Sequence, residues 1–128
     1  MKRIVAYKNY YRDFMLKLTE NERTKIKRAL LLFETEDKIP RHYISYIRDG
    51  LFEFRVTGGN KEFRMFYIYD GDKMVILFNC FIKKSTKTPK KEIDKGLKLM
   101  EEYQHNDLIV LVLCTYLLYL RKIRIIKQ

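Results

Sequence analysis

The sequence predicts a small α+β domain in which two N-terminal helices pack on a mainly antiparallel, twisted sheet, followed by a C-terminal helix and an atypical apolar tail. Three observations predict it. Apolar residues recur at helical spacing early in the chain, three alternating runs bounded by turn residues follow, and a Thr-Pro pair then opens a second helical stretch. With 128 residues the chain is most simply one domain, long enough to bury a core without staples.

Residues 3 to 7 read as a short strand. Tyr11, Phe14, Met15 and Leu18 are spaced i, i+3, i+4, i+7, the stripe of a first helix. Thr19-Glu20-Asn21-Glu22 fits a capping box, and Ile26, Ala29, Leu30 and Phe33 carry a second helix to about Glu36. Pro40 closes that region. Strands follow at about Leu51–Thr57, Glu62–Tyr69 and Met74–Ile82, joined by Gly58-Gly59-Asn60-Lys61 and Asp70-Gly71-Asp72-Lys73. Thr88 then reads as an N-cap and Pro89 as the first helical residue, with Ile93, Leu97 and Met100 on the inner face of the third helix.

If Thr57 pairs with Glu62 and Tyr69 with Met74, one sheet face collects Phe52, Phe54, Val56, Phe63, Met65, Tyr67, Tyr69, Met74, Ile76, Phe78, Cys80 and Ile82. That apolar face is expected under the first two helices. The other face carries Glu53, Arg55, Glu62, Arg64, Phe66, Leu77, Asn79, Phe81 and Lys83, with Arg55 opposite Arg64 and Asn79 flanking it. Facing arginines repel. Either Glu53 and Glu62 neutralise them as a solvated face, or the pair is kept to hold a phosphate.

Charge favours the second reading. Twenty-seven Lys and Arg against sixteen Asp and Glu give +11, which suits nucleic acid or an anionic surface. Much of it is concentrated from Lys83 to Lys91, where Lys83, Lys84, Lys87, Lys90 and Lys91 follow directly on the last strand beside Phe81. A cationic face with an aromatic suits single-stranded RNA, and Asn79 and Lys61 extend the candidate RNA-binding set. Cutting RNA through its own 2′-OH requires a base, a stabiliser of the phosphorane-like charge and an acid for the leaving oxygen. His42 and His105 lie off the proposed face, and no Asp, Glu, His or Cys cluster has metal-ligand spacing, so neither metal nor cofactor is expected. Lysine and arginine are left for the chemistry. A lysine crowded by other cations gives up its proton more readily, as Lys83, Lys84 and Lys87 are placed to do, and an arginine supplies fixed charge. The unclustered Cys80 and Cys114 and the absence of a signal-peptide pattern at Met1 to Tyr7 point to a cytoplasmic protein.

Gly50-Leu51-Phe52-Glu53-Phe54-Arg55-Val56, Glu62-Phe63-Arg64-Met65-Phe66-Tyr67 and the run Phe78 to Ile93 together resemble the RelE/ParE superfamily of toxin–antitoxin toxins, most closely its HigB-type branch, which includes phage-derived Gp49-like proteins. The run Phe81-Ile82-Lys83-Lys84-Ser85-Thr86-Lys87-Thr88-Pro89 is the specific part of the match, which extends from about Ile4 to Tyr103. The resemblance implies a ribosome-dependent mRNA endonuclease that works without metal, with Arg55, Arg64, Phe81, Lys83, Lys84 and Lys87 as its functional positions. It also implies neutralisation by a cognate antitoxin, often a small helix-turn-helix protein. The gyrase-poisoning ParE-type branch and an inactivated toxin are the alternatives. Ser85 and Cys80 depart from the family pattern; Cys80 is expected on the covered face.

Residues 1–104 are thus expected to form the toxin domain and 105–128 a separate apolar-then-basic tail. Leu108 to Leu120 is thirteen residues without a charge, followed by Arg121-Lys122-Ile123-Arg124. Thirteen is short of the roughly twenty needed to span a bilayer, so no stable membrane insertion is expected. A packed or association-prone segment is the preferred reading.

Overall fold

The computed structural model describes residues 1–84 and 86–126, with residues 125 and 126 by backbone alone. Ser85 of the lysine run, and Lys127 and Gln128 of the tail, lie outside the described residues. The chain order is β1 (Arg3–Ala6), α1 (Tyr10–Leu16), α2 (Glu20–Thr35), a 3-10 turn (Arg41–Tyr43), β2 (Ile44–Arg48), β3 (Leu51–Gly58), β4 (Lys61–Asp70), β5 (Met74–Lys83) and α3 (Lys90–Ile126). The class is α+β, as expected, but the arrangement differs from the expected one. The sheet occupies the middle of the chain and has five strands in the order β1-β5-β4-β3-β2; it is mixed, because β1 runs parallel to β5. A helix after the sheet, α3, covers part of its second face.

The capping box at Thr19 forms as expected: the Glu22 amide donates to Thr19 Oγ1 at 3.2 Å and the Thr19 amide to Glu22 Oε1 at 2.9 Å. Behind it Ile26, Ala29, Leu30 and Phe33 face the sheet, where they meet Phe54, Val56, Phe63, Met65 and Tyr67 in the first core. Cys80 packs against this core, on the face expected for it.

Strand β2 is an addition to the expected sheet. It pairs with β3 through the two-residue turn Asp49-Gly50, both with positive φ (55° and 92°), which is the backbone a tight hairpin of matching twist requires. In β5 the expected alternation fails at one point. The register steps from Met65↔Cys80 to Tyr67↔Leu77, so two residues of β5, Phe78 and Asn79, stand against Phe66 alone. This bulge reverses the facing of everything before it. Val75 and Leu77 join the first core, while Met74, Ile76 and Phe78 turn to the other face. The hairpin end agrees, with Met74 opposite Asp70 rather than Tyr69.

The reversed residues build a second core with Leu51, Phe66, Ile68, Leu99 and Met100 under α3. Gly96 is what lets the helix lie so close. A Cβ there would stand 2.8 Å from Phe66 Cδ2, 3.1 Å from Leu51 Cδ2 and 3.2 Å from Asn79 Oδ1. Further along, Tyr7 Oη donates to Glu102 Oε1 at 2.7 Å, Lys8 pairs with the same carboxylate, and Tyr103 Oη donates to Asp70. Beyond these anchors α3 continues without a break through residues 105–126, which the sequence sets apart as a tail. The helix is 37 residues long, and its side chains from 104 to 122 are all exposed.

Candidate nucleic-acid interface

The end of the sheet that α3 leaves uncovered holds the charged side chains. Arg55 lies opposite Arg64 across β3 and β4, Phe81 is the partner of Arg64 across β4 and β5, and Lys83 is the partner of Glu62. The expected pairing of Arg55 with Arg64 is therefore the observed one, but on the β5 side Phe81, not the expected Asn79, stands opposite Arg64. The two guanidiniums are held by carboxylates. Glu53, 0% exposed, accepts from Arg55 Nε at 3.0 Å on Oε1, with Arg64 Nε 3.5 Å from the same oxygen. Its Oε2 accepts from Thr88 Oγ1 at 3.0 Å. Arg64 is itself only 5% exposed and donates through Nη2 to Glu62 at 2.7 Å.

Glu53 thus ties three pieces together: both arginine strands and the last residue but one before α3. Sequence reasoning cast it only as a neutralising charge. Its signal was the Glu-x-Arg spacing on a strand whose partner carries a second arginine, which brings one carboxylate within reach of two guanidiniums. Thr88, expected as an N-cap, turns its hydroxyl to Glu53 instead. The helix starts at Lys90, and Pro89 offers its carbonyl to the amides of Glu92 and Ile93.

Asn79 has a different place from the one expected. At 1% exposure it cannot meet RNA; its Nδ2 donates to both the backbone oxygen and Oε2 of Glu92, each at 3.0 Å, and so fixes the first turn of α3 against β5. The face is the expected one; what buries Asn79 is α3, which packs over it at Glu92 and Gly96. Lys61 is also engaged elsewhere, its ammonium 3.0 Å from Glu22 at the start of α2. Phe81 is half-buried, its ring 5.3 Å from that of Phe66. Lys83 is half-buried at the end of β5, and Lys84, Lys87, Lys90 and Lys91 are exposed along the segment into α3.

Two carboxylates therefore meet two arginines, and the net positive charge at this end is carried by the lysine segment. Beside it, on the α2 side of β3, a cleft of about 540 Å³ is lined by Lys25, Arg28, His42, Tyr43 and Arg55. Lys25 and Arg28 belong to the polar side of α2 and give no signal in sequence; His42, expected off the proposed face, lies against Tyr43 with ring centroids 4.2 Å apart and the planes tilted by 36°. Arg55 is shared by both surfaces. Burial pushes the Cys80 thiol up to about 12, helped by the nearby Glu92. Among the described residues, no three His, Cys, Asp or Glu side chains stand close enough to hold a metal ion.

The model of the phage-derived Gp49-like protein family (DUF891) matches residues 13–101, and the chain belongs to that family, a group of RelE/HigB-like toxins. No curated protein matches the chain. Membership of a toxin family implies an antitoxin partner. Among the described residues, no helix is long and apolar enough to cross a membrane.

Proposed function

We propose that this protein is the toxin of a toxin–antitoxin pair, of the HigB type, and that it cleaves messenger RNA on translating ribosomes in the cytoplasm without a metal. The observation that carries the reading is the convergence of Arg55, Arg64, Phe81 and Lys83 at one strand end, continuous with Lys84 to Lys91. In this reading a lysine of the set Lys83, Lys84 and Lys87 takes the 2′-OH proton. The freed oxygen attacks the adjacent phosphorus, and the 5′ oxygen leaves with a proton from a second lysine, giving a cyclic phosphate end. Arg55 stabilises the extra charge on the phosphoryl oxygens, and Phe81 positions a base. Arg64 joins in only when a phosphate displaces Glu62 from its Nη2. Lys90 and Lys91 hold the RNA backbone through charge. Asn79 and Lys61 act as structural residues.

Mapping transcript 5′ ends after induction tests this. Wild type should generate new ends within coding regions, and Arg55→Ala and Lys84→Ala, each checked for a native circular dichroism spectrum, should each lose them. Folded variants that both cut as wild type does would defeat the reading. One observation favours a second reading: the carboxylates on Arg64 suit a structural arginine, as in a non-enzymatic, gyrase-poisoning toxin. Growth arrest with DNA damage and intact transcripts would select it.

A further inference from the structure

The portion of α3 beyond Asn106 is covered by none of the described elements, and its apolar side chains from Leu108 to Leu120 are exposed on every side. A helix that is apolar all round is a buried helix without its cover. We propose that a second copy of this chain supplies that cover, through antiparallel pairing of the two distal helices about a two-fold axis at Cys114.

The charge pattern selects this occupant and this direction. The apolar stretch is bounded by Asp107 and Arg121, each seven residues from Cys114. Seven residues are nearly two helical turns, so all three lie on one face. At about 100° per residue, Asp107, Leu111, Cys114, Leu118 and Arg121 fall within an arc of about 80°. Turning a second copy end for end about Cys114 places Asp107 beside Arg121 of the second copy, and Arg121 beside its Asp107. Leu111 then lies within about one residue's rise, 1.5 Å along the axis, of Leu118 of the second copy, and the reverse. A parallel pair would instead set Asp107 against Asp107 and Arg121 against Arg121, both repulsive. Cys114 is the smallest side chain of the stretch, which suits the point of closest approach. The polar group next to it is already satisfied, since Thr115 Oγ1 donates to the Leu111 carbonyl at 3.0 Å. Tyr116 and Tyr119 fall about 180° and 120° round the helix from Asp107, off this face, so the seam itself would bury no unpaired hydroxyl. The seam spans about 21 Å from Asp107 to Arg121, well away from the arginine strands.

The full chain is tested by sedimentation equilibrium and by cross-linking. It should self-associate as a dimer. Oxidation with copper phenanthroline should give a covalent dimer that Cys114→Ser abolishes and Cys80→Ser leaves intact. Asp107→Arg and Arg121→Asp should each weaken the dimer about tenfold, by turning two ion pairs per dimer into repulsions, and the double variant should recover to within about threefold of wild type. These positions are exposed, so the substitutions leave the domain's core untouched. A chain that stays monomeric, including one that instead partitions onto phosphatidylcholine and phosphatidylglycerol vesicles, overturns the proposal. So does a dimer without the Cys114 cross-link and without recovery in the double reversal.

Discussion

Replacing Glu53 by Gln keeps the shape of a fully buried side chain while removing the one charge shared by two arginines and Thr88. Arg55 Nε is 3.0 Å from Oε1, Arg64 Nε 3.5 Å from it, and Thr88 Oγ1 3.0 Å from Oε2. Breaking a buried ion pair by removing one partner costs about 3–5 kcal/mol, because the other charge is left without compensation. Two features lower the figure here. The Arg55 side chain is 37% exposed and recovers hydration, and Arg64 keeps Glu62 at 2.7 Å. What remains is the burial of Arg64 opposite a like charge, so the expected loss is about 2–3 kcal/mol, toward and below the low end of that range. In urea, with a slope of about 1–3 kcal/mol per molar, the unfolding midpoint should fall by roughly 1–2 M. Glu53→Gln with a midpoint unchanged to about 0.2 M would show that the carboxylate is not what holds the two arginines, and the account of the site would fail with it.

Four further outcomes are expected. Glu62→Ala should tighten binding of a non-cleavable single-stranded RNA several-fold in filter binding, since it frees Arg64 Nη2 and removes a negative charge beside Lys83; unchanged or weaker binding counts against the displacement of Glu62 by phosphate. Gly96→Ala should destabilise the fold by about 1–3 kcal/mol, because the Phe66 contact at 2.8 Å outweighs the better helix propensity of alanine, and a stabilised variant in thermal melts would refute the close approach. Burial, and then the hydrogen bond to Asp70, push the Tyr103 hydroxyl up to about 12 from an ordinary value of 10. Its pKa is thus higher folded than unfolded, so its contribution is complete below about pH 10 and disappears as pH rises through about 12, and Tyr103→Phe should flatten that part of the stability profile. With its thiol pushed up to about 12, Cys80 should resist iodoacetamide at pH 8 in the folded protein and react once the chain is unfolded in urea; equal labelling of Cys80 in both states by mass spectrometry would contradict its placement.

The helices and the arginine pairing were legible in sequence because each rests on local rules. Thr19-x-x-Glu22 is a cap whose two hydrogen bonds involve its own backbone, and Arg55 opposite Arg64 follows from counting out from a short hairpin. Phe78 and Asn79 were not legible, since a bulge is invisible to period-two counting and reverses the facing of every residue before it. Because Ile76 and Phe78 were assigned to the wrong face, the second core under α3 went unseen, and with it the burial of Asn79. Strand β2 was missed although Asp49-Gly50 carries the dipeptide signal of a tight turn. The basic set of the candidate site was legible in composition. Its acidic counterpart emerged only once Glu53 had a depth and a set of distances.

That counterpart changes which positive charges are available to a substrate. A face of bare arginines would attract any polyanion, yet Arg64 is buried between two carboxylates and Arg55 shares one of them. The two carboxylates differ in how firmly they are held. Glu53 is fully buried with three partners and cannot leave without exposing Arg64 to an apolar surround. The Glu62 side chain is 48% exposed, and a pair that open to water is worth about 1 kcal/mol or less, so a phosphate can exchange with it at little cost. The same strand end is thus stable without a ligand and responsive to one. Under the proposed function, Glu53 keeps the arginines in register, Glu62 screens Arg64 until a phosphate arrives, and the exposed lysines before and within the first turn of α3 provide the long-range attraction for RNA.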